Sequence, residues 1–442
     1  LGRAFMRYVR AHSDVVDDPL IGSYLQSVGN KLARNSDTRG RNLTFFAVED
    51  PSINAFAGPD GYIGVHTGLI LEAETESELA AVIAHEIAHV GQRHLARMIE
   101  ATDQMSLPMA GLLLAAIALG VAGAGSLAAA AAVGSQAALL QKQINFTRAN
   151  EREADNIGIR ILARSKYDPR AMASFFQKLG RSSRTGAASV PEFLQTHPVS
   201  SDRIAEALGR SEKYPLNMAP EDLRFHLVRA TLRAEQFDSS RAAIRHFEST
   251  LKQGRYRNQE AERYGYVQAL FRGRQYGNAM QELNKLLGKR PRDPYYRVTK
   301  ARIALARGNK SQAVSSVSNM DTSTIGSHAG SLLKAEVMLQ ARQPARAYSI
   351  LKKLSKSHSD DAHIMRLLGR AAAGSGKTAE SHRALAEYHY LNGELEAAVK
   401  QLGIALRTDG LGFHEKSKLE ARLREIDSEI RALKKTGSSA RF

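Results

Sequence analysis

Apolar residues recur at helical spacing along most of this chain, with one short interruption near the start. Phe5, Val9, Ile21, Leu25, Val28 and Leu32 mark two helices within residues 5–34, parted by Asp17-Asp18-Pro19. The period then drops to that of strands. Leu43 to Val48, Ile53 to Phe56 and Tyr62 to Val65 are short β-type runs, the last two joined by Gly58-Pro59-Asp60-Gly61. A small sheet with a tight turn is predicted. The helical period returns at Thr75 to Glu78, where Ser77 is the candidate N-cap and acidic residues suit the positive end of a helix dipole. It predicts one helix through Ala80 to Arg97.

From Gln104 to Gln141 no residue is charged, and Leu107 to Gly125 approaches membrane-spanning length. Pro108, the glycines and the weakly apolar, Ala-rich run Leu127 to Leu140 favour instead a helical hairpin. It would be either buried or a lid that touches lipid peripherally through 107–140. A charged helix follows from Asn150 to about Ala163. Beyond a boundary near Ser211 to Pro220 the pattern repeats: Ala279, Ala313 and Ala347 are spaced by two intervals of 34, the period of the tetratricopeptide repeat (TPR). A further unit, Leu385 to Ala405, is half a period out of step, which an unpaired extra helix over Ala362 to Ala373 would explain. Glu415 to Lys435 would cap the stack. Two domains are expected, 1–212 with the uncharged hairpin 104–141, and 221–442.

The 442 residues, 43% of them apolar, supply ample material for two cores. The absence of cysteine excludes a disulfide scaffold, a thiolate metal knuckle and a cysteine nucleophile, and leaves histidine and carboxylate as metal ligands. The formal charge of +17 sits wholly in the second half: residues 1–215 carry 22 Lys+Arg against 22 Asp+Glu, and residues 216–442 carry 40 against 23. A basic helical solenoid suits protein segments, and no aromatic and basic strand platform is present, so nucleic acid is not an expected partner. The start, Leu1-Gly2-Arg3-Ala4-Phe5, lacks the basic and apolar regions of a secretory signal, which has either been removed or never existed.

His85-Glu86-Ile87-Ala88-His89 gives the helix over Ala80 to Arg97 its chemistry. Two imidazoles at this spacing lie one turn apart on one face and can reach a single zinc ion. Glu86 flanks that face, outside the ligand set, where it can act as a general base on water. Two surface histidines would show the same spacing, so the third ligand decides. Glu151 and Asp155 lie one turn apart on the charged helix. One carboxylate can complete a His-His-Glu set, and the other can accept the free ring N–H of a ligating histidine. His94 falls about 180° round the helix from His85 and is not expected at the metal. Gln92 and Leu95 stand where a metzincin needs glycine and histidine. His66, at a strand end, is read as structural.

The HEIAH run, Glu151-x-x-Ala154-Asp155, Asn54-Ala55-Phe56-Ala57 before a Gly-containing turn, and His197-Pro198 followed by Arg203-Ile204 make residues 1–210 resemble a known family. It is the zinc metallopeptidase family of HtpX and the CAAX prenyl protease, metallopeptidase family forty-eight. The resemblance implies an α+β gluzincin-type metalloprotease domain, mostly helical with a small β-sheet, followed by an all-α TPR solenoid. It implies one Zn2+ per chain held by His85, His89 and Glu151, with Glu86 as catalytic base, Asp155 behind the ligands and Asn54 holding the substrate backbone. In such peptidases an edge strand beside the metal helix pairs with the extended substrate, and Ile53 to Val65 is the candidate here. With the repeats added, the likeness is to periplasmic members. It implies quality control and assembly of outer-membrane β-barrel proteins, probed by a TPR domain whose partners are unfolded or stalled outer-membrane proteins and the β-barrel assembly machinery. HtpX and the prenyl proteases are multi-pass membrane proteins, whereas only 107–140 here could enter a bilayer.

His197 falls in an expected loop, Val190-Pro191-Glu192 to Pro198, after a Gly/Ser/Arg-rich stretch. Pro198 biases it toward an extended conformation from which the imidazole could project into the cleft. It is read as a fourth metal ligand that keeps a protease latent or as a donor to the tetrahedral oxyanion; a structural histidine is the plainer alternative. The function expected is a zinc endopeptidase with chaperone-like repeats. The alternative is a non-catalytic TPR scaffold whose zinc site is structural or blocked.

Overall fold

The computed structural model describes residues 1–100, 136–184, 191–216 and 218–435, which divide into two compact units, Leu1–Phe225 and His226–Phe442. Most of the uncharged stretch 104–141, and so the expected hairpin, lies outside the described residues. Among the described residues no helix is long and apolar enough to cross a membrane.

The first unit opens with α1 (Gly2–His12) and α2 (Pro19–Ala33). Asp18 caps α2 by accepting from the Leu20 N–H at 2.8 Å, and Pro19 sits in the first turn, where its missing N–H costs nothing. Strands β1 (Thr44–Val48), β2 (Ala55–Ala57) and β3 (Tyr62–His66) follow, in sheet order β1-β3-β2, with β1 parallel and β2 antiparallel to β3. Phe5, Val9, Phe46, Val48 and Phe56 pack α1 against this sheet. The order narrows the candidate substrate strand: β3 is paired on both sides, so within 53–65 only Ala55–Ala57 has an edge that no described strand pairs.

After α3 (Thr67–Glu72) comes the metal helix α4 (Glu76–Gly91). Its cap is Thr75 rather than Ser77, accepting from the Glu78 N–H at 3.2 Å, while Ser77 accepts from the Asp168 N–H at 3.1 Å. The single helix expected through Arg97 is two helices. Arg93 takes φ +55, in the left-handed region, and α5 (His94–Glu100) begins after it. Then follow α6 (Gln136–Arg164), α7 (Ala171–Arg184), α8 (Glu192–Thr196) and α9 (Ser201–Ser211). Helix α6 lies along α4 with Gly158 at the crossing, where a Cβ would stand 2.7 Å from Met172 Cε and 3.4 Å from the backbone nitrogen of His85. The missing side chain is what lets the Glu151 helix approach the His85 helix this closely.

The second unit is a run of helices joined by short connections, each packed on its sequence neighbour from Ser240–Gln253 onward. The fourth residue of five alternate helices, Ser240–Gln253, Tyr276–Lys289, Lys310–Ser318, Pro344–Ser357 and Thr378–Leu391, is small and buried: Ala243, Ala279, Ala313, Ala347 and Ser381. The 34-residue period therefore continues one step past Ala347. Serine hides it in the sequence, and its hydroxyl donates to the Gly369 carbonyl at 2.8 Å. The helix over Ala362–Gly374 is consequently not unpaired; it packs on both Pro344–Ser357 and Thr378–Leu391. A closing helix, Phe413–Lys435, buries Leu419 and Ile426.

Asp293 caps the helix Pro294–Ala306, accepting from the N–H groups of Tyr295 at 2.9 Å and Tyr296 at 3.4 Å, yet burial pushes its pKa up from 3.8 to about 6. The folded value lies above the unfolded one. The stability this group contributes is thus fully present below about pH 4 and lost as pH rises through about 6. Asp293→Asn keeps the cap without the charge. Thermal unfolding should show the variant more stable than the parent at pH 8, by on the order of 1–2 kcal/mol, and no more stable at pH 4.

Candidate metal centre

Helices α4, α6 and α8 bring together residues far apart in sequence. His85 and His89 hold their Nε2 atoms 3.0 Å apart. Glu151 places Oε2 3.3 Å from His85 Nε2 and Oε1 3.4 Å from His89 Nε2. Nδ1 of His197, the residue that ends α8, lies 3.3 Å from His85 Nε2 and 3.0 Å from Glu151 Oε1. These four donor atoms all fall within 4.8 Å of one another, and no other such group of His, Cys, Asp or Glu occurs among the described residues. A tetrahedral site with bonds of about 2.0–2.1 Å has edges of about 3.3–3.4 Å, close to the spacings found. Three imidazoles and a carboxylate converging where water is scarce leave lone pairs facing one another unless a cation shares them, so the residues present fit a divalent metal ion.

The far edge of the His85 imidazole faces a further carboxylate. His85 Nδ1 lies 3.0 Å from Asp155 Oδ1. Burial opposes charge on His85, but the Asp155 and Glu151 carboxylates outweigh it and raise its pKa; His89, buried beside His85, is shifted down. Burial would also raise Glu151, yet the neighbouring His197 and His85 hold it well below the usual carboxylate range. Glu86 is 1% exposed and stands outside the four, with Oε1 3.5 Å from His197 Nε2 and a backbone hydrogen bond from Ala57. Burial raises its proton affinity, the direction that makes a carboxylate a better general base.

The segment expected as a loop at 190–198 holds the short helix α8 over Glu192–Thr196, and His197 leaves it at φ −125, ψ 76, off the helix as Pro198 favours. Its Phe193 N–H donates to the Ile53 carbonyl at 3.0 Å, and Glu192 Oε2 accepts from Ser52 Oγ at 2.9 Å. The Phe193 ring stacks on His197 with centroids 4.7 Å apart. His197 is thus fixed by backbone, side chain and ring. His66, set aside as structural, is 1% exposed and keeps Nδ1 2.8 Å from Ser52 Oγ. Asn54 is buried immediately before β2, its carbonyl accepting from the His66 N–H at 3.0 Å.

Two residues gain roles that sequence reasoning did not give them. In the sequence Arg203 stands out only beside Ile204 in the motif that follows His197-Pro198. Its Nε and Nη2 grip Asp155 Oδ2 and Oδ1 at 2.8 and 2.9 Å, and Nη1 reaches Glu151 Oε2 at 3.1 Å and the Pro198 carbonyl at 2.7 Å. The available signal is that Arg203 shares the buried stripe of α9 with Ala207 and Ser211, at steps of four. The second residue is His94, whose ring lies 4.8 Å from that of His89 because α4 ends before it.

Residues 19–211 match the model of peptidase family M48. The β-barrel assembly-enhancing protease of Escherichia coli (strain K12) is 31% identical over 96% of this chain and 87% of its own length. The chain belongs to peptidase family M48. The putative β-barrel assembly-enhancing protease of Vibrio cholerae is 33% identical over 96% of this chain and 88% of its own. The mitochondrial metalloendopeptidase OMA1 of Arabidopsis thaliana is 31% identical over 43% and 36%. The chain is therefore a metalloendopeptidase, and its TPR-like unit accompanies an M48 peptidase unit as the resemblance implied.

Proposed function

We propose that this M48 member is a zinc endopeptidase, one ion per chain held by His85, His89 and Glu151, that cleaves unfolded or stalled outer-membrane β-barrel proteins in the periplasm and rests in a latent state. The single observation that carries the chemistry is the convergence of those three ligands beside the buried Glu86. The name carried by the relatives matched over most of their length supports the substrate class, and a β-barrel substrate of the outer membrane is what makes the periplasm the compartment proposed. Helical repeats suit the holding of extended protein segments, which supports a chaperone-like role and contact with the β-barrel assembly machinery.

When bound, zinc supplies Lewis acidity that activates water and polarises a scissile carbonyl. Glu86 takes the water's proton and returns it to the leaving amine. Strand β2 aligns the substrate. Asn54 bonds toward β3, so the alternation of an antiparallel strand turns the backbone groups of Ile53, Ala55 and Ala57 toward the open edge. There Phe193 occupies the Ile53 carbonyl and Glu86 the Ala57 N–H.

A catalytic zinc site keeps one position open. His197 Nδ1 lies 3.3 Å from His85 Nε2 and 3.0 Å from Glu151 Oε1, and its Nε2 is 3.5 Å from Glu86 Oε1, a placement that supports the fourth-ligand role over that of oxyanion donor. Substrate strand and the His197 segment compete for one edge. His197→Ala should retain zinc and raise cleavage of an unfolded β-barrel protein on the order of tenfold, as a weak ligand is removed. Ser52→Ala removes one hydrogen bond to Glu192, worth about 1 kcal/mol, and should raise it up to about fivefold. A fall in turnover for His197→Ala would make it an oxyanion donor, and unchanged activity would discard both roles.

A further inference from the structure

We infer that His94 is a positioning residue of the metal site: its Nδ1 fixes the ring and tautomer of His89, and Glu153 holds His94 in turn. The inference rests on the proposed ligand set of His85, His89 and Glu151. His94 is 5% exposed, with Nδ1 2.8 Å from His89 Nδ1 and Nε2 3.1 Å from Glu153 Oε2. Glu153 is itself met by Arg97 Nη1 at 3.3 Å.

With His89 Nε2 ligating, as the proposed set requires, and both rings neutral, one arrangement of protons satisfies the contacts of His89 with His94 and of His94 with Glu153. His89 turns Nε2 toward His85 and Glu151, so the ligating lone pair is on Nε2 and the proton on Nδ1. His94 Nδ1 must then accept that proton's hydrogen bond. Its own proton therefore lies on Nε2, where it is donated to the Glu153 carboxylate. A chain of donors runs from a metal ligand to a carboxylate, the arrangement by which outer partners orient ligating histidines.

The backbone is bent to make this possible. On an unbroken helix His94 would lie about 140° round from His89 and face away. Arg93 instead adopts φ +55, in the left-handed region that side-chain-bearing residues disfavour, and the turn it makes returns His94 to the site. Helix α6 supplies both carboxylates. Asp155 meets His85 and Glu153 meets His94, two residues apart in sequence.

The test compares two substitutions in the full chain. In His94→Asn the amide oxygen takes the place of the accepting Nδ1, whereas in His94→Gln it takes the place of Nε2 and fills more of the space. Metal-free protein is titrated with zinc against a chromophoric chelator, and with cobalt for its visible spectrum. His94→Gln should bind zinc about 10–100-fold more weakly than the parent and shift the cobalt bands, and His94→Asn should recover most of both. A packing role would rank the larger glutamine above asparagine. His94→Gln within about twofold of the parent, or His94→Asn no better than His94→Gln, would overturn the inference. Thermal unfolding of the metal-free variants reports folding separately. Failure of the unmodified chain to bind zinc, or full binding by Glu151→Gln, would overturn the ligand set itself and this inference with it.

Discussion

Glu86→Gln should lower kcat by about 10²–10⁴-fold while leaving the metal in place, the range that general acid–base groups contribute. Glutamine fills the same volume and can still accept from the Ala57 N–H, so the edge strand stays where it is. It has no lone pair basic enough to take a proton from water. Glu86 lies outside the four donor atoms, so metal content should not change. The assay belongs in a His197→Ala background, where latency does not mask the loss. Cleavage of an unfolded β-barrel protein at more than about a tenth of the parent rate would remove Glu86 from its role as base.

Arg203→Ala should cost the first unit about 3–5 kcal/mol, the range for breaking a buried ion pair by removing one partner. The guanidinium is 5% exposed and grips Asp155 with two N–H groups while touching Glu151, both of them buried carboxylates. Its removal leaves two negative charges in a poorly solvated place beside the ligands. Arg203→Lys restores the charge but not the planar fork, so it should recover part of the loss. Denaturant unfolding followed by a probe in residues 1–216 measures both. A loss under about 1 kcal/mol for Arg203→Ala would mean that water or the imidazoles carry these carboxylates unaided.

Much of this was legible in the sequence because period and spacing speak directly about local geometry. Four-residue steps put His85 with His89 and Glu151 with Asp155 on shared helix faces, and the structure sets these faces against each other. What stayed hidden was set by tertiary context. Nothing in Gln92-Arg93 signals a break, since arginine carries no preference for the left-handed region, and so His94 was placed on the wrong side of a helix that does not continue. Ser77 and Thr75 are both competent caps, and the choice fell to Thr75 once the Asp168 N–H engaged Ser77. Serine at 381 conceals a repeat position because its hydroxyl finds the Gly369 carbonyl, which makes it as easily buried as alanine. The helix at Glu192–Thr196 is too short for any periodicity to announce it and is held by Ile53 and Ser52, some 140 residues away.

The most direct measurement is X-ray absorption at the zinc edge of the resting chain and of His197→Ala, which counts imidazoles around the ion. Three imidazoles and one carboxylate oxygen are expected in the parent, falling to two imidazoles with added water in His197→Ala. Two imidazoles in both, or a site that His85, His89 and Glu151 do not fill, would contradict the metal centre proposed for this family member.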